Sequence, residues 1–155
     1  MKIVELLSTE NISVDIKSEN KEGVLSQLLD ILIESKKVSS KEKDELLKVL
    51  LEREALGSTA IGNGIAIPHV KSPLVKDLVA ALGISKDGVD FDALDGEKVY
   101  ILFLLISPAD AAGPHLKALA RISRLLKDKS FRAVLKDVSS KEEALKLIEQ
   151  EDSRY

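Results

Sequence analysis

Val99-Tyr100-Ile101-Leu102-Phe103-Leu104-Leu105-Ile106 is an unbroken apolar run. A strand with one wet face alternates apolar and polar side chains, so a continuous run predicts a strand buried on both faces. The run is far shorter than the ~20 apolar residues that a bilayer-spanning helix needs. A strand covered on both sides requires helices above and below, and the flanking sequence supplies them. Upstream, Asn20 to Ser35 carries Val24, Leu25, Leu28, Leu29 and Leu32 on one helical face. A second helix is predicted from Ser39 or Ser40, where Ser39 and Glu42 suggest a capping box. Leu46, Leu47, Leu50 and Leu51 form its stripe, and Gly57 stops it.

Downstream, Ser107-Pro108-Ala109-Asp110 interrupts the strand, and Pro114 suits the first turn of a helix striped by Leu116, Leu119, Ala120, Ile122 and Leu126. Two shorter helices are predicted near Ser130 to Val138 and Ser140 to Gln150, the last with a Ser140/Glu143 capping pair. Val14 to Lys17, Ile65 to Ile67 and Leu78 to Ser85 read as further strands. Val89-Asp90-Phe91 either continues the sheet or turns. The fold class expected is therefore α/β: a three-layer α/β/α sandwich with a central mixed sheet, built as one domain over 1–155.

Composition narrows the function. The 155 residues hold 45% hydrophobic and 32% charged residues, the balance of a globular protein. Lys+Arg 23 against Asp+Glu 26 gives a net charge of −3, and aromatics are only 3%. That combination argues against a nucleic-acid surface and base-stacking platforms. With no cysteine there is no disulfide, thiolate zinc site or thiol nucleophile, as befits a reducing compartment. Met1-Lys2-Ile3-Val4-Glu5-Leu6-Leu7 lacks the apolar core of a signal peptide, so a cytoplasmic location without membrane insertion is expected.

Only two histidines exist, His69 and His115. His69 ends the run Gly62-Asn63-Gly64-Ile65-Ala66-Ile67-Pro68-His69. An imidazole is substantially neutral and nucleophilic at pH 7, and it can hold a phosphoryl group covalently. Such a site needs donors and positive charge around the phosphoryl oxygens. Arg53, the hydroxyls of Ser58 and Thr59, and amides of the glycine-bearing turn are the nearby candidates, and a guanidinium fork suits two phosphate oxygens. His115 follows Pro114 in a helix's first turn, where amides favour an anion.

Structural readings compete. His115 shares a stripe with Leu119, Ile122 and Leu126, as a packed histidine would. Arg53 could be one more solvated charge in Glu52-Arg53-Glu54. The glycines match neither GxGxxG nor the P-loop. A zinc site would need Asp110 or Asp92 as third ligand and lacks HExxH-type spacing, and a serine triad lacks GxSxG.

At these residues the chain resembles the type-2 enzyme IIA domains of the bacterial phosphoenolpyruvate-dependent phosphotransferase system, which include fructose-, mannitol- and nitrogen-regulatory IIA proteins. The resemblance runs from Arg53-Glu54-Ala55-Leu56-Gly57-Ser58-Thr59-Ala60-Ile61-Gly62-Asn63-Gly64 through Ile65-Ala66-Ile67-Pro68-His69. It resumes at Phe91-Asp92-Ala93-Leu94-Asp95-Gly96 and continues through Ser107-Pro108-Ala109-Asp110 to His115-Leu116. It implies a phosphocarrier needing no metal or cofactor, with His69 phosphorylated on Nε2, His115 as second active-site histidine and Arg53 beside them.

The implied donor is HPr or a nitrogen-branch homologue, and the implied acceptor a IIB domain or a regulatory target protein. The alternative is a protein-binding module that keeps the fold without transfer. The loop and Pro108-Ala109-Asp110 look most similar to the nitrogen-regulatory branch, as does a free-standing IIA domain. An apolar docking rim of Ile61, Ile67 and Val70 is expected. Val70 departs from the small residue usual after the phosphorylated histidine, and its β-branch would resist a positive φ.

Overall fold

The computed structural model describes residues 2–60 and 62–154. Its strands are β1 (Ile12–Ser13), β2 (Ile65–Ala66), β3 (His69–Lys71), β4 (Val79–Val89) and β5 (Val99–Ser107). Its α-helices are α1 (Lys21–Glu34), α2 (Lys43–Ala55), α3 (Ala112–Leu125), α4 (Lys129–Lys136) and α5 (Lys141–Asp152). The strands form one mixed five-stranded sheet in the order β1-β4-β5-β2, with β3 also on β5. β4 and β5 run antiparallel, and the other pairings are parallel.

The apolar run is central and buried on both faces, as its pattern requires. Leu102, Leu104 and Ile106 pack with α1 and α2 residues such as Leu25, Leu28 and Leu50. Ile101, Phe103 and Leu105 pack on the opposite side with Ile122, Leu135 and Ile148 of α3, α4 and α5. Two cores on either side of one sheet make the α/β/α sandwich.

β2 and β3 act as one edge strand interrupted at Pro68. Ile65 pairs with Ile101 and His69 with Leu105, so the register is unbroken across the interruption. Proline offers no N–H, which an edge strand tolerates, while its carbonyl still accepts from Leu105 N–H at 3.0 Å. Successive side chains alternate across the sheet. Ile65 and Ile67 therefore belong to the core beneath α3, and Ala66 and Val70 to the core beneath α1 and α2. By the same alternation His69 lies on the α3 side.

Several boundaries differ from the sequence reading. The first ladder is Ile12–Ser13, and Val14 to Lys17 contributes one further bond, Ile16 N–H to the Ile84 carbonyl at 3.1 Å. Val89 continues β4 after an irregularity in its pairing with β5. Ser39 caps a short 3-10 turn, Ser40–Glu42, by accepting from Lys41 N–H, and α2 starts after it. The stripe of α3 holds as read at Ile122 and Leu126, with Leu119 packed on the core and His115 within it, but it departs at two positions. Its buried side chains are His115, Ala118, Ile122 and Leu125, whereas Leu116 is 66% exposed and Ala120 is exposed. Among the described residues no helix is long and apolar enough to cross a membrane.

Candidate functional site

His69 opens β3, directly after the proline. Its Nδ1 lies 2.6 Å from the Ile67 carbonyl oxygen. A carbonyl can only accept, so Nδ1 carries a proton and donates, and in the neutral ring the lone pair is on Nε2. The X-Pro geometry is what brings that carbonyl under the ring: Ile67 is restricted to extended backbone by the proline that follows it.

His115 reaches the same place from the first turn of α3. The two rings stand 5.6 Å apart, centroid to centroid, at an interplanar angle of 49°. His115 is buried, and its Nδ1 lies 2.5 Å from Ser107 Oγ at the end of β5. Burial lowers its pKa from the ordinary value, and the neighbouring His69 and Lys71 lower it further. These effects favour the neutral ring at His115.

Both rings line one groove of about 720 Å³. Arg53, Glu52 and Lys71 contribute charge to it. Its apolar walls are Val49, Leu56, Val70, Leu116 and Leu119, of which Leu56 is 86% exposed. Arg53 sits at the end of α2, and its Nη1 donates to the Gly57 carbonyl at 2.9 Å. Among the described residues that is its one side-chain hydrogen bond, which leaves most of the guanidinium's donors for the groove.

Of the residues singled out in the sequence, the structure brings His69, His115 and Arg53 together. Ser58 and Thr59 do not line this groove, because their hydroxyls are committed to the fold. Ser58 Oγ donates to the Phe91 carbonyl at 3.0 Å and accepts from Ala60 N–H at 3.1 Å. Thr59 is buried, and its hydroxyl donates to Glu54 Oε2 at 2.5 Å while its N–H donates to Glu54 Oε1 at 3.1 Å. Lys21 Nζ lies 3.6 Å from the same carboxylate.

The second matching motif braces the loop from behind. Asp95 Oδ2 accepts from Asn63 N–H at 3.2 Å, and Leu94 N–H donates to the Ala60 carbonyl at 2.9 Å. Gly62 has φ +141°, and a Cβ there would stand 3.0 Å from Asp95 Oδ2. The glycine-bearing run is thus a supported turn that delivers the edge strand carrying His69.

Val70 is no obstacle. It sits in β3 opposite Ile106, outside the positive-φ residues, and packs against the α1/α2 core. A β-branched side chain suits that extended backbone. Of the apolar rim expected, Val70 lines the groove, Ile67 belongs to the core beneath α3, and Ile61 lies outside the described residues. Leu56, Leu116, Lys71 and Ser107 were missed. Leu116 belongs to the stripe read for its helix, Leu56 to no stripe, and only a lone hydroxyl ending an apolar strand points to Ser107.

The chain matches, over residues 5–151, the family described as phosphoenolpyruvate-dependent sugar phosphotransferase system, EIIA 2. It is 37% identical over 152 residues to the fructose-specific EIIABC component of the phosphotransferase system of Bacillus subtilis (strain 168). That match covers 98% of this chain and 24% of the longer protein. The crystal structure of nitrogen regulatory protein IIA-Ntr from Neisseria meningitidis is 34% identical, with a TM-score of 0.85 over 94% of this chain and 98% of that one. The fold also matches the complex of enzyme IIAMtl and phosphorylated enzyme IIBMtl from Escherichia coli. There the TM-score is 0.77 at 22% identity, covering 93% of this chain and 97% of that one.

Proposed function

Since the chain belongs to the type-2 EIIA family of the phosphoenolpyruvate-dependent sugar phosphotransferase system, we propose that it is a phosphocarrier in which His69 Nε2 accepts and passes on a phosphoryl group. The observation that carries this reading is the 2.6 Å contact between His69 Nδ1 and the Ile67 carbonyl. It leaves Nε2 as the nucleophilic nitrogen without any separate base.

In the forward step the Nε2 lone pair attacks phosphorus, the new N–P bond forms, and the bond to the donor's nitrogen breaks. The electron pair of that bond stays on the donor imidazole. Arg53 and neutral His115 supply hydrogen-bond donors to the phosphoryl oxygens as charge redistributes, with Lys71 adding a positive field. Glu54, Thr59 and Ser58 act at one remove by fixing the turn that delivers the edge strand. No metal or cofactor enters this step.

HPr or its nitrogen-branch homologue is the proposed donor, and a IIB domain or a regulatory target the proposed acceptor, with a cytoplasmic setting following from those partners. The mannitol enzyme IIA of Escherichia coli, which shares this fold, was solved in complex with phosphorylated enzyme IIB, and that supports a IIB domain as acceptor. Exposed Leu56 and Leu116 flank the histidines and offer an apolar ring for docking. Placing both histidines and Arg53 in one groove favours transfer over a binding module that keeps only the fold.

Incubation with phosphoenolpyruvate, enzyme I and HPr, read by intact mass, tests the proposal. One acid-labile phosphoryl adduct is expected, absent in His69→Ala. An adduct that persists in His69→Ala, or none with several cognate donors, refutes it. Discharge by a fructose-type IIB domain would place the chain in a sugar branch; retention would place it in a regulatory one.

A further inference from the structure

We propose that Ser107 is a positioning residue whose hydroxyl donates to His115 Nδ1, fixing His115 as an Nε2–H donor and leaving His69 as the only phosphoryl acceptor. The argument begins with the bookkeeping of buried protons. Ser107 is fully buried, and its Oγ contacts His115 Nδ1 at 2.5 Å. Among the described residues that hydroxyl has no second hydrogen-bond partner. If His115 Nδ1–H donated to Ser107, the serine proton would be buried with nothing to accept it. If the serine donates instead, both groups are satisfied, and burial favours that arrangement.

The two histidines then hold opposite tautomers, set by what faces each Nδ1. His69 faces the Ile67 carbonyl, which only accepts, so its Nε2 is a lone pair. His115 faces a hydroxyl that donates, so its Nε2 bears hydrogen. A ring nitrogen bearing hydrogen is no nucleophile, but it can donate to a phosphoryl oxygen. Burial and the nearby His69 and Lys71 also disfavour the cationic form of His115, which keeps it a neutral donor. The division of labour between two imidazoles in one groove is thereby built into their second contacts.

The consequence for transfer rests on the phosphocarrier reading, whereas the tautomer itself does not. Long-range proton–nitrogen NMR of the full chain, at a pH where both rings are neutral, reads the tautomers directly. The wild type should show His115 as Nε2–H and His69 as Nδ1–H. In Ser107→Ala, His115 should shift toward the Nδ1–H form, while Ser107→Thr, which retains the hydroxyl, should keep the wild-type pattern. Phosphorylation of Ser107→Ala by phospho-HPr should slow on the order of 10–100-fold, with an unchanged urea midpoint separating this from unfolding.

An Nδ1–H pattern for His115 in the wild type overturns the proposal. So does an unaltered pattern in Ser107→Ala, or a shifted pattern with undiminished transfer. If no variant, wild type included, takes up phosphate, the carrier reading fails while the nitrogen shifts still decide what Ser107 does.

Discussion

Replacing Glu54 by alanine should destabilise the protein by about 3–5 kcal/mol, the range for removing one member of a buried charged network. The figure follows from what the carboxylate holds. Its side chain is 2% exposed, and it accepts from the Thr59 N–H at 3.1 Å and the Thr59 hydroxyl at 2.5 Å. Each donor left unpaired in the interior costs about 1–3 kcal/mol. The Lys21 ammonium, 3.6 Å away, would keep the exposed carboxylate of Asp92 at 3.4 Å and the face of the Phe91 ring at 5.2 Å. Glu54→Gln is the control that isolates the mechanism. An amide oxygen can still accept from Thr59 N–H, and its NH2 can donate to the hydroxyl oxygen, so the loss should be about 1 kcal/mol.

Urea titration followed by circular dichroism measures both variants, with unchanged slopes confirming that the midpoints report stability. Thermal melts should fall by about 10 °C for alanine and a few degrees for glutamine. Equal losses for the two variants, or an alanine loss under about 1 kcal/mol, would refute the claim that hydrogen-bond satisfaction is what Glu54 supplies.

Gly83→Ala should cost about 1–3 kcal/mol by overpacking, because the new Cβ would stand 2.9 Å from Leu28 Cδ2 and 3.0 Å from Ile16; urea midpoints check this. Stability should also decline as pH falls through the ordinary histidine value of 6.5, because folding lowers the pKa of His115. The unfolded chain then binds the proton more readily, and the loss levels off once pH is below the folded value. His115→Gln should flatten that slope in urea midpoints measured from pH 7.5 to 5, and an identical slope would refute the assignment. Leu116→Asp, at a site 66% exposed, should leave the melting temperature within about 2 °C. It should still slow phosphoryl uptake from HPr; a large fall in stability with normal uptake would make Leu116 a packing residue.

The layers were legible because each rests on a local period. The β5 run announced its double burial, and α1 announced its face through Val24, Leu25, Leu28, Leu29 and Leu32, all buried. Strand pairing was not legible. Nothing in Ile65-Ala66-Ile67 or His69-Val70-Lys71 says that the two pieces share one register on β5, since that depends on side chains distant in sequence. Ser58 and Thr59 show the same limit: a hydroxyl near a candidate histidine suggests a phosphate ligand, but which acceptor it finds is a tertiary fact. Here the acceptors are Phe91 and Glu54.

The exposure of Leu116 on α3 has a different cause, and it bears on function. Leu116 was placed in the core because leucine at helical spacing belongs there in a helix that serves only packing. The buried stripe runs through His115, as the packed-histidine reading has it, so a polar ring takes a core position and the leucine beside it goes to the surface. Both departures run against what burial alone would select. They occur in adjacent residues, and both line the groove that also holds His69 and Arg53. A single rotation of the helix would exchange them, sinking Leu116 and exposing His115. Such a rotation would also expose Ala118, Ile122 and Leu125, fully buried on the same stripe, so apolar packing fixes it and the contact with Ser107 satisfies the ring that the packing buries. The packing that sets the imidazole against Ser107 therefore also keeps an apolar side chain on the rim of the groove.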